Sequence, residues 1–152
     1  MIVDDLVRRA FRDLPTARLA TVDPDGAPHV APLWFVWRED LFLSTRRGSS
    51  SWAHAARDPR VSLVIDRGRD WSELAGVGIA GLASLYPAEH PDLRELMSQW
   101  HEKYRSMLSG DGFERLAGAV PELGFIRVDP THLRTWDHAW HAEGIAGTQS
   151  RT

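Results

Sequence analysis

The residues in this chain best suited to chemistry lie in the string Thr45, Arg46, Arg47, Gly48, Ser49, Ser50, Ser51, Trp52. Hydroxyls, two guanidinium groups and the free amides of a helix start can converge there on one anion, and the helix dipole adds to the attraction. A phosphate group is the ligand this pattern would take. A serine-capped helix with solvated arginines gives the same string, and the residues alone leave both readings open.

Other candidate motifs carry less. Asp137, His138 and His141 could offer a metal two nitrogens and an oxygen, but no third strong ligand stands at suitable spacing, so no metal is expected. His101, beside Trp100 on a helix, and His138 are the side chains best suited to proton transfer. Gly76, Gly78 and Gly81 spell GxGxxG, yet a polar loop precedes them and a period-two pattern follows. They are therefore expected to let a strand bend or a neighbouring group approach, not to bind a dinucleotide. Neither a GxSxG elbow nor a Walker loop is present.

The elements that must position these residues are mostly strands. Leu19 to Val22 meets the turn Asp23-Pro24-Asp25-Gly26, and a second strand, His29 to Trp37, follows as a run apolar enough for burial on both faces. Pro32 within it implies an edge, a bulge or a ligand-facing gap. Leu41 to Thr45 is a third strand, and Gly48 releases the chain into a helix capped by Ser49 or Ser50 and stopped by Asp58-Pro59. Arg60 to Asp66, Val77 to Tyr86, Leu123 to Val128 and Thr131 to Trp136 complete the strand pattern. Helical spacing marks Ile2 to Leu14, His90 to Leu108 and a short piece from Gly112 to Val120.

Composition sets the bounds. The 152 residues suit one α+β domain over 1–141 with a flexible tail over 142–152, and 43% apolar with 26% charged residues is ordinary for a globular protein. A net charge of −3 argues against a nucleic-acid surface, and no apolar run is long enough to span a bilayer. With no cysteine, thiolate and disulfide chemistry are excluded; a cytoplasmic location is the expectation. Seven tryptophans are many for this length and suit a planar ligand or an interface, although core filling is the more ordinary use of each.

Taken in order, ATVDPDGAPHVAPLWFVW, LFLSTRRGS, RDPRVSLVID and VDPTHLRTWDH together resemble the pyridoxamine 5′-phosphate oxidase-like split β-barrel superfamily, most closely its deazaflavin-dependent branch. The resemblance runs from Leu14 to Trp140. It implies a homodimer with coenzyme F420 or FMN in a groove at the subunit interface, and hydride transfer to a small conjugated or heteroaromatic substrate. Carried over, Ala31, Pro32, Leu33 and Trp34 run beside the ring system, while Thr45, Arg46, Arg47, Gly48, Ser49, Ser50, Ser51 and Trp52 form the phosphate end. Trp136 and His138 contact the ring or the partner chain. The family pattern departs at three positions: Ser51 stands where a lysine is usual, His54 for asparagine and Ala55 for leucine. Losing one charge-assisted contact weakens binding by about 1.5 to 3 kcal/mol, roughly ten- to a hundredfold, unless an arginine substitutes. The alternatives implied by the same fold are a non-enzymatic flavin- or haem-binding protein and an oxidase of the pyridoxamine-phosphate type.

Overall fold

A computed structural model describes residues 4–108 and 122–139. Seven strands form one sheet in the order β2-β1-β5-β6-β7-β4-β3, every pairing antiparallel. They are β1 (Ala17–Val22), β2 (Pro28–Leu33), β3 (Phe35–Trp37), β4 (Leu41–Arg46), β5 (Arg60–Arg67), β6 (Ala75–Tyr86) and β7 (Leu123–Asp137). Among the described residues three α-helices accompany them, α1 (Asp5–Phe11), α2 (Ser50–Arg57) and α3 (Leu93–Tyr104), with single 3-10 turns at Trp71–Glu73 and Arg105–Met107. This is the mainly β, half-barrel architecture with helices that the sequence pattern implies.

Local chemistry explains the junctions. The Asp23 carboxylate accepts from the amides of Asp25 and Ala27, and Gly26 takes φ +86°, which only glycine adopts without strain, so the first hairpin closes where the Pro-Asp-Gly signal stands. Ser49 caps α2, its Oγ accepting from the Trp52 amide at 3.2 Å. Helix α1 begins only at Asp5, capped by Asp4. Helix α3 begins at Leu93 and not at His90, because His90 to Asp92 forms the preceding turn.

Two strand readings require correction. The run His29 to Trp37 is not one strand buried on both faces: it breaks at Trp34 into β2, which alternates between exposed and half-buried residues at the sheet edge, and β3, which is buried throughout. Pro32 is tolerated because β2 has a neighbour on one side only. Conversely, Leu123 to Val128 and Thr131 to Trp136 are one continuous strand, with a bulge opposite Ala80 and Gly81 that accommodates Pro130, which has no amide to donate. The helix read from Gly112 to Val120 and the tail from Ala142 lie outside the described residues, as do Trp140 and His141.

The apolar residues sort into two cores. Leu19, Leu63, Ile65, Val77, Ile79, Leu43 and Ile126 fill the barrel interior, while Val36, Phe42 and Phe125 turn the opposite way and pack under Leu96, Trp100 and Tyr104 of α3. This double packing explains why β4 is buried from Leu41 to Thr45 without alternation.

Candidate functional site

Backbone pairing brings the two main predicted segments together. The Trp34 carbonyl accepts from both the amide (2.8 Å) and the hydroxyl (3.2 Å) of Ser44, which joins the Ala31–Trp34 stretch to β4 immediately before Thr45. Ala31 and Leu33 are half-buried and Pro32 is exposed. The half-buried Trp34 indole stacks on Tyr104, centroids 4.2 Å apart and planes within 8°.

At the start of α2 the hydroxyls divide their work. Thr45 and Ser49 bond each other at 2.8 Å and Ser49 caps the helix, whereas Ser50, Gly48 and Arg46 are exposed. The first helical amides, those of Ser50 and Ser51, have no intrahelical acceptor by position. Ser51 itself is only 2% exposed, buried on the same side of α2 as Ala55. Arg47 and Trp52 pack together over β7: a Cβ on Gly124 would lie 2.7 Å from the Trp52 ring and 3.1 Å from the Arg47 stem, and the Arg47 amide donates to the Glu122 carbonyl at 2.9 Å. Glycine at 124 is thus what lets Trp52 anchor α2 on the sheet. Arg46, with Ser50 and the helix amides, remains as a donor set that suits a phosphate.

His54 fastens the same helix at its other end. Its Nδ1 lies 3.1 Å from the hydroxyl of buried Thr21, which also lies 3.4 Å from His29 Nδ1, and Arg57 donates to the carbonyls of Val22 and Asp23.

Trp136 lies elsewhere, on the outer face of the sheet. Its ring rests on two glycines: a Cβ on Gly76 would fall 2.3 Å from Trp136 Cζ2, and one on Gly78 would fall 3.8 Å from Cζ3. The GxGxxG glycines are therefore a bed for an indole plus, at Gly81, the room the bulge needs. His138 continues this aromatic end, its Nδ1 3.1 Å from the Trp71 carbonyl and its ring 4.9 Å from the Trp71 ring. A carbonyl can only accept, so the Nδ1 carries the proton. Gly124, beside Thr45, and Trp136 are twelve residues apart on β7, roughly 35 to 40 Å measured along a strand. His101 stands on α3 with its ring 5.4 Å from Trp100.

Helix α3 supplies polar groups that the motifs did not reveal. Trp100 Nε1 donates to Ser44 Oγ at 2.8 Å, the Tyr104 hydroxyl accepts from the Phe35 amide at 2.8 Å, and Lys103 Nζ donates to the Phe35 carbonyl at 2.8 Å while lying 3.5 Å from that ring's centroid. All three act on the break between β2 and β3, where sheet pairing leaves backbone groups over. The signal available in the sequence was compositional: Lys103 is the one lysine among 18 basic residues.

Burial lowers the Lys103 amine to about 7 against the opposing pull of the Asp13 carboxylate. The unfolded chain keeps that proton to about pH 10 and so binds more protons than the folded one above pH 7, which makes stability rise with pH through this window. Wild-type protein is therefore expected to gain stability relative to Lys103→Met between about pH 7 and pH 10, read from urea midpoints. A difference that stays constant across this range would refute the buried amine.

The sequence model of the pyridoxamine 5′-phosphate oxidase family matches residues 3–137. Among solved structures, a conserved hypothetical protein from Mycobacterium tuberculosis superposes with a TM-score of 0.75 at 25% identity, covering 99% of this chain and 94% of that one. An F420 reductase gives 0.66 at 19% identity, covering 86% and 98% of the two chains. The haem storage protein HutZ from Vibrio cholerae gives 0.67 at 18%, covering 88% and 94%. Among curated proteins no sequence matches. Among the described residues no helix is long and apolar enough to cross a membrane.

Proposed function

Because this chain belongs to the pyridoxamine 5′-phosphate oxidase family, we propose that it is a dimeric oxidoreductase holding coenzyme F420 or FMN between two copies and exchanging a hydride with a small conjugated or heteroaromatic substrate. The observation that carries the reading is the separation of the site along β7. An anion-binding donor set stands near one end and a presented indole at the other, so a second copy set against the first can complete what one chain leaves divided. The outer sheet face offers the contact surface, with Val30 62% and Leu82 47% exposed beside Ala20, Val64 and Ala80. The F420 reductase among the structural neighbours supports the choice of cofactor class.

In this reading Arg46, Ser50 and the α2 amides hold the phosphate, and Arg46 replaces the charge that Ser51 does not supply. The backbone of Ala31 to Trp34 lies along the ring system. Trp136 and His138 of the second copy cover it, exclude water, and leave His138 at the ring for hydrogen bonding. The bound cofactor supplies the two-electron chemistry.

Titrating FMN and F420 separately while following tryptophan fluorescence tests this. Quenching by at least one is expected, and Arg46→Ala should weaken it roughly ten- to a hundredfold, as loss of one charge-assisted hydrogen bond of about 1.5 to 3 kcal/mol requires. Quenching by neither sinks the proposal. A second reading, haem binding without catalysis, is favoured by His138, whose Nδ1 lies 3.1 Å from a backbone carbonyl, the outer contact that ligating histidines commonly make, and by the haem storage protein among the neighbours. Its mark is an intense Soret band lost in His138→Ala.

A further inference from the structure

A second polar cluster, sharing no residue with the proposed cofactor site, surrounds Lys103. A groove between the α1–β1 connection, β3 and α3 is lined by Lys103, Gln99, Arg12, Asp13, Val36 and Trp37, with the last two forming a buried apolar floor. The Gln99 Nε2 donates to Glu95 Oε1 at 3.1 Å, and because a carboxylate only accepts, the amide orientation is fixed. Its Oε1 is then a buried acceptor with no hydrogen-bond partner, which an interior normally avoids unless a ligand completes it. A lysine placed against the Phe35 and Tyr104 rings, with an orphan acceptor on Gln99, whose side chain borders the same groove, is equipped for more than a surface charge.

We propose that Lys103 is the nucleophile of a covalent binding site for small aldehydes, with Gln99 as the acceptor that orients the adduct. The neutral amine adds its nitrogen lone pair to the carbonyl carbon. The carbonyl π pair moves to oxygen, and a proton passes from nitrogen to that oxygen, giving a carbinolamine whose hydroxyl donates to Gln99 Oε1. Loss of water then leaves an imine, with no net oxidation or reduction. Burial that lowers the amine to about 7 keeps a large share of it neutral at physiological pH, where an ordinary lysine is almost wholly protonated. The charged groups lining the groove are Arg12, Asp13 and Glu102, of which Asp13 opposes the loss of the proton.

The chain's single lysine makes the test direct. Intact protein is treated with 4-formylbenzoate and cyanoborohydride, with Nα-acetyl-lysine amide in the same tube as the reference amine, and the sites are read by peptide mass. At pH 7 Lys103 is expected to label at least tenfold faster than the reference, with a rate that rises to half its maximum near pH 7 and not near pH 10. Gln99→Leu, on the half-exposed side of α3, should slow Lys103 several-fold and leave labelling of the chain's N-terminal amine unchanged, with native tryptophan emission confirming the fold. Labelling of Lys103 at or below the reference rate, or at a rate indifferent to Gln99→Leu, overturns the proposal.

Discussion

Gly81→Ala is expected to destabilise the protein by about 3 kcal/mol, the upper end of what overpacking a buried position costs. A Cβ at residue 81 would stand 2.4 Å from the backbone oxygen of Asp129 and 3.0 Å from its carbon. Unlike the tip of a side chain, this oxygen cannot step aside, because it belongs to β7 just before Pro130 and the bulge, where the register against β6 shifts between Ala80 and Gly81. Relief would require the longest strand pair to part. Gly78→Ala is the matched control: its Cβ would meet only the Trp136 ring, at an ordinary 3.8 Å, and the change should stay within about 1 kcal/mol. Urea unfolding with a shared slope measures both. Equal stability of the two variants would show that the close approach at Gly81 does not hold.

The second large effect is expected at Tyr104, a fully buried ring whose hydroxyl accepts from the Phe35 amide at 2.8 Å and lies 2.8 Å from the Pro15 carbonyl and 2.9 Å from that of Phe35. The hydroxyl has one proton. Lys103 already donates to the Phe35 carbonyl, so the proton of Tyr104 serves Pro15. Burial accordingly pushes the phenol above its ordinary range, keeping it a neutral donor at any working pH. Tyr104→Phe retains the stacking on Trp34 but leaves the Phe35 amide and the Pro15 carbonyl without partners, for a loss of about 2 to 3 kcal/mol. Hydrogen exchange at the Phe35 amide should quicken in step. A loss under about 0.5 kcal/mol would mean that water or another group replaces the hydroxyl. The variant also bears on function, since the Phe35 amide fixes the end of the stretch from Ala31 to Trp34.

Much of this was readable from local chemistry. Asp23 to Gly26 had to turn because an aspartate closes on its own backbone and a glycine takes a positive φ. Ser49 had to cap because the chain after Gly48 turns helical, and Pro32 had to sit at an edge. The helix start within the string from Thr45 to Trp52 was legible for the same reason, since a serine after a glycine can take the first free amides whatever surrounds them. What misled was the reading of apolar runs. His29 to Trp37 looked continuous because edge and core residues are equally hydrophobic here, and the break at Trp34 is set by α3, whose polar groups take over the backbone that sheet pairing releases. Pro130 looked like an interruption of β7 because a bulge is invisible until the partner strand is known.

The residue types of the candidate site were therefore a property of the sequence, and their placement was not. By itself the chain determined a mainly β barrel with a serine-capped helix, arginines beside it and a late tryptophan, since turns, caps and alternation depend on neighbours a few residues away. Only the tertiary structure decided that Ser51 is buried while Arg46 is exposed, that Gly76 and Gly78 are the bed of Trp136, and that the single lysine lies against Phe35. Those outcomes depend on which strands pair and which faces α2 and α3 cover, contacts between residues up to 89 positions apart that no local pattern encodes.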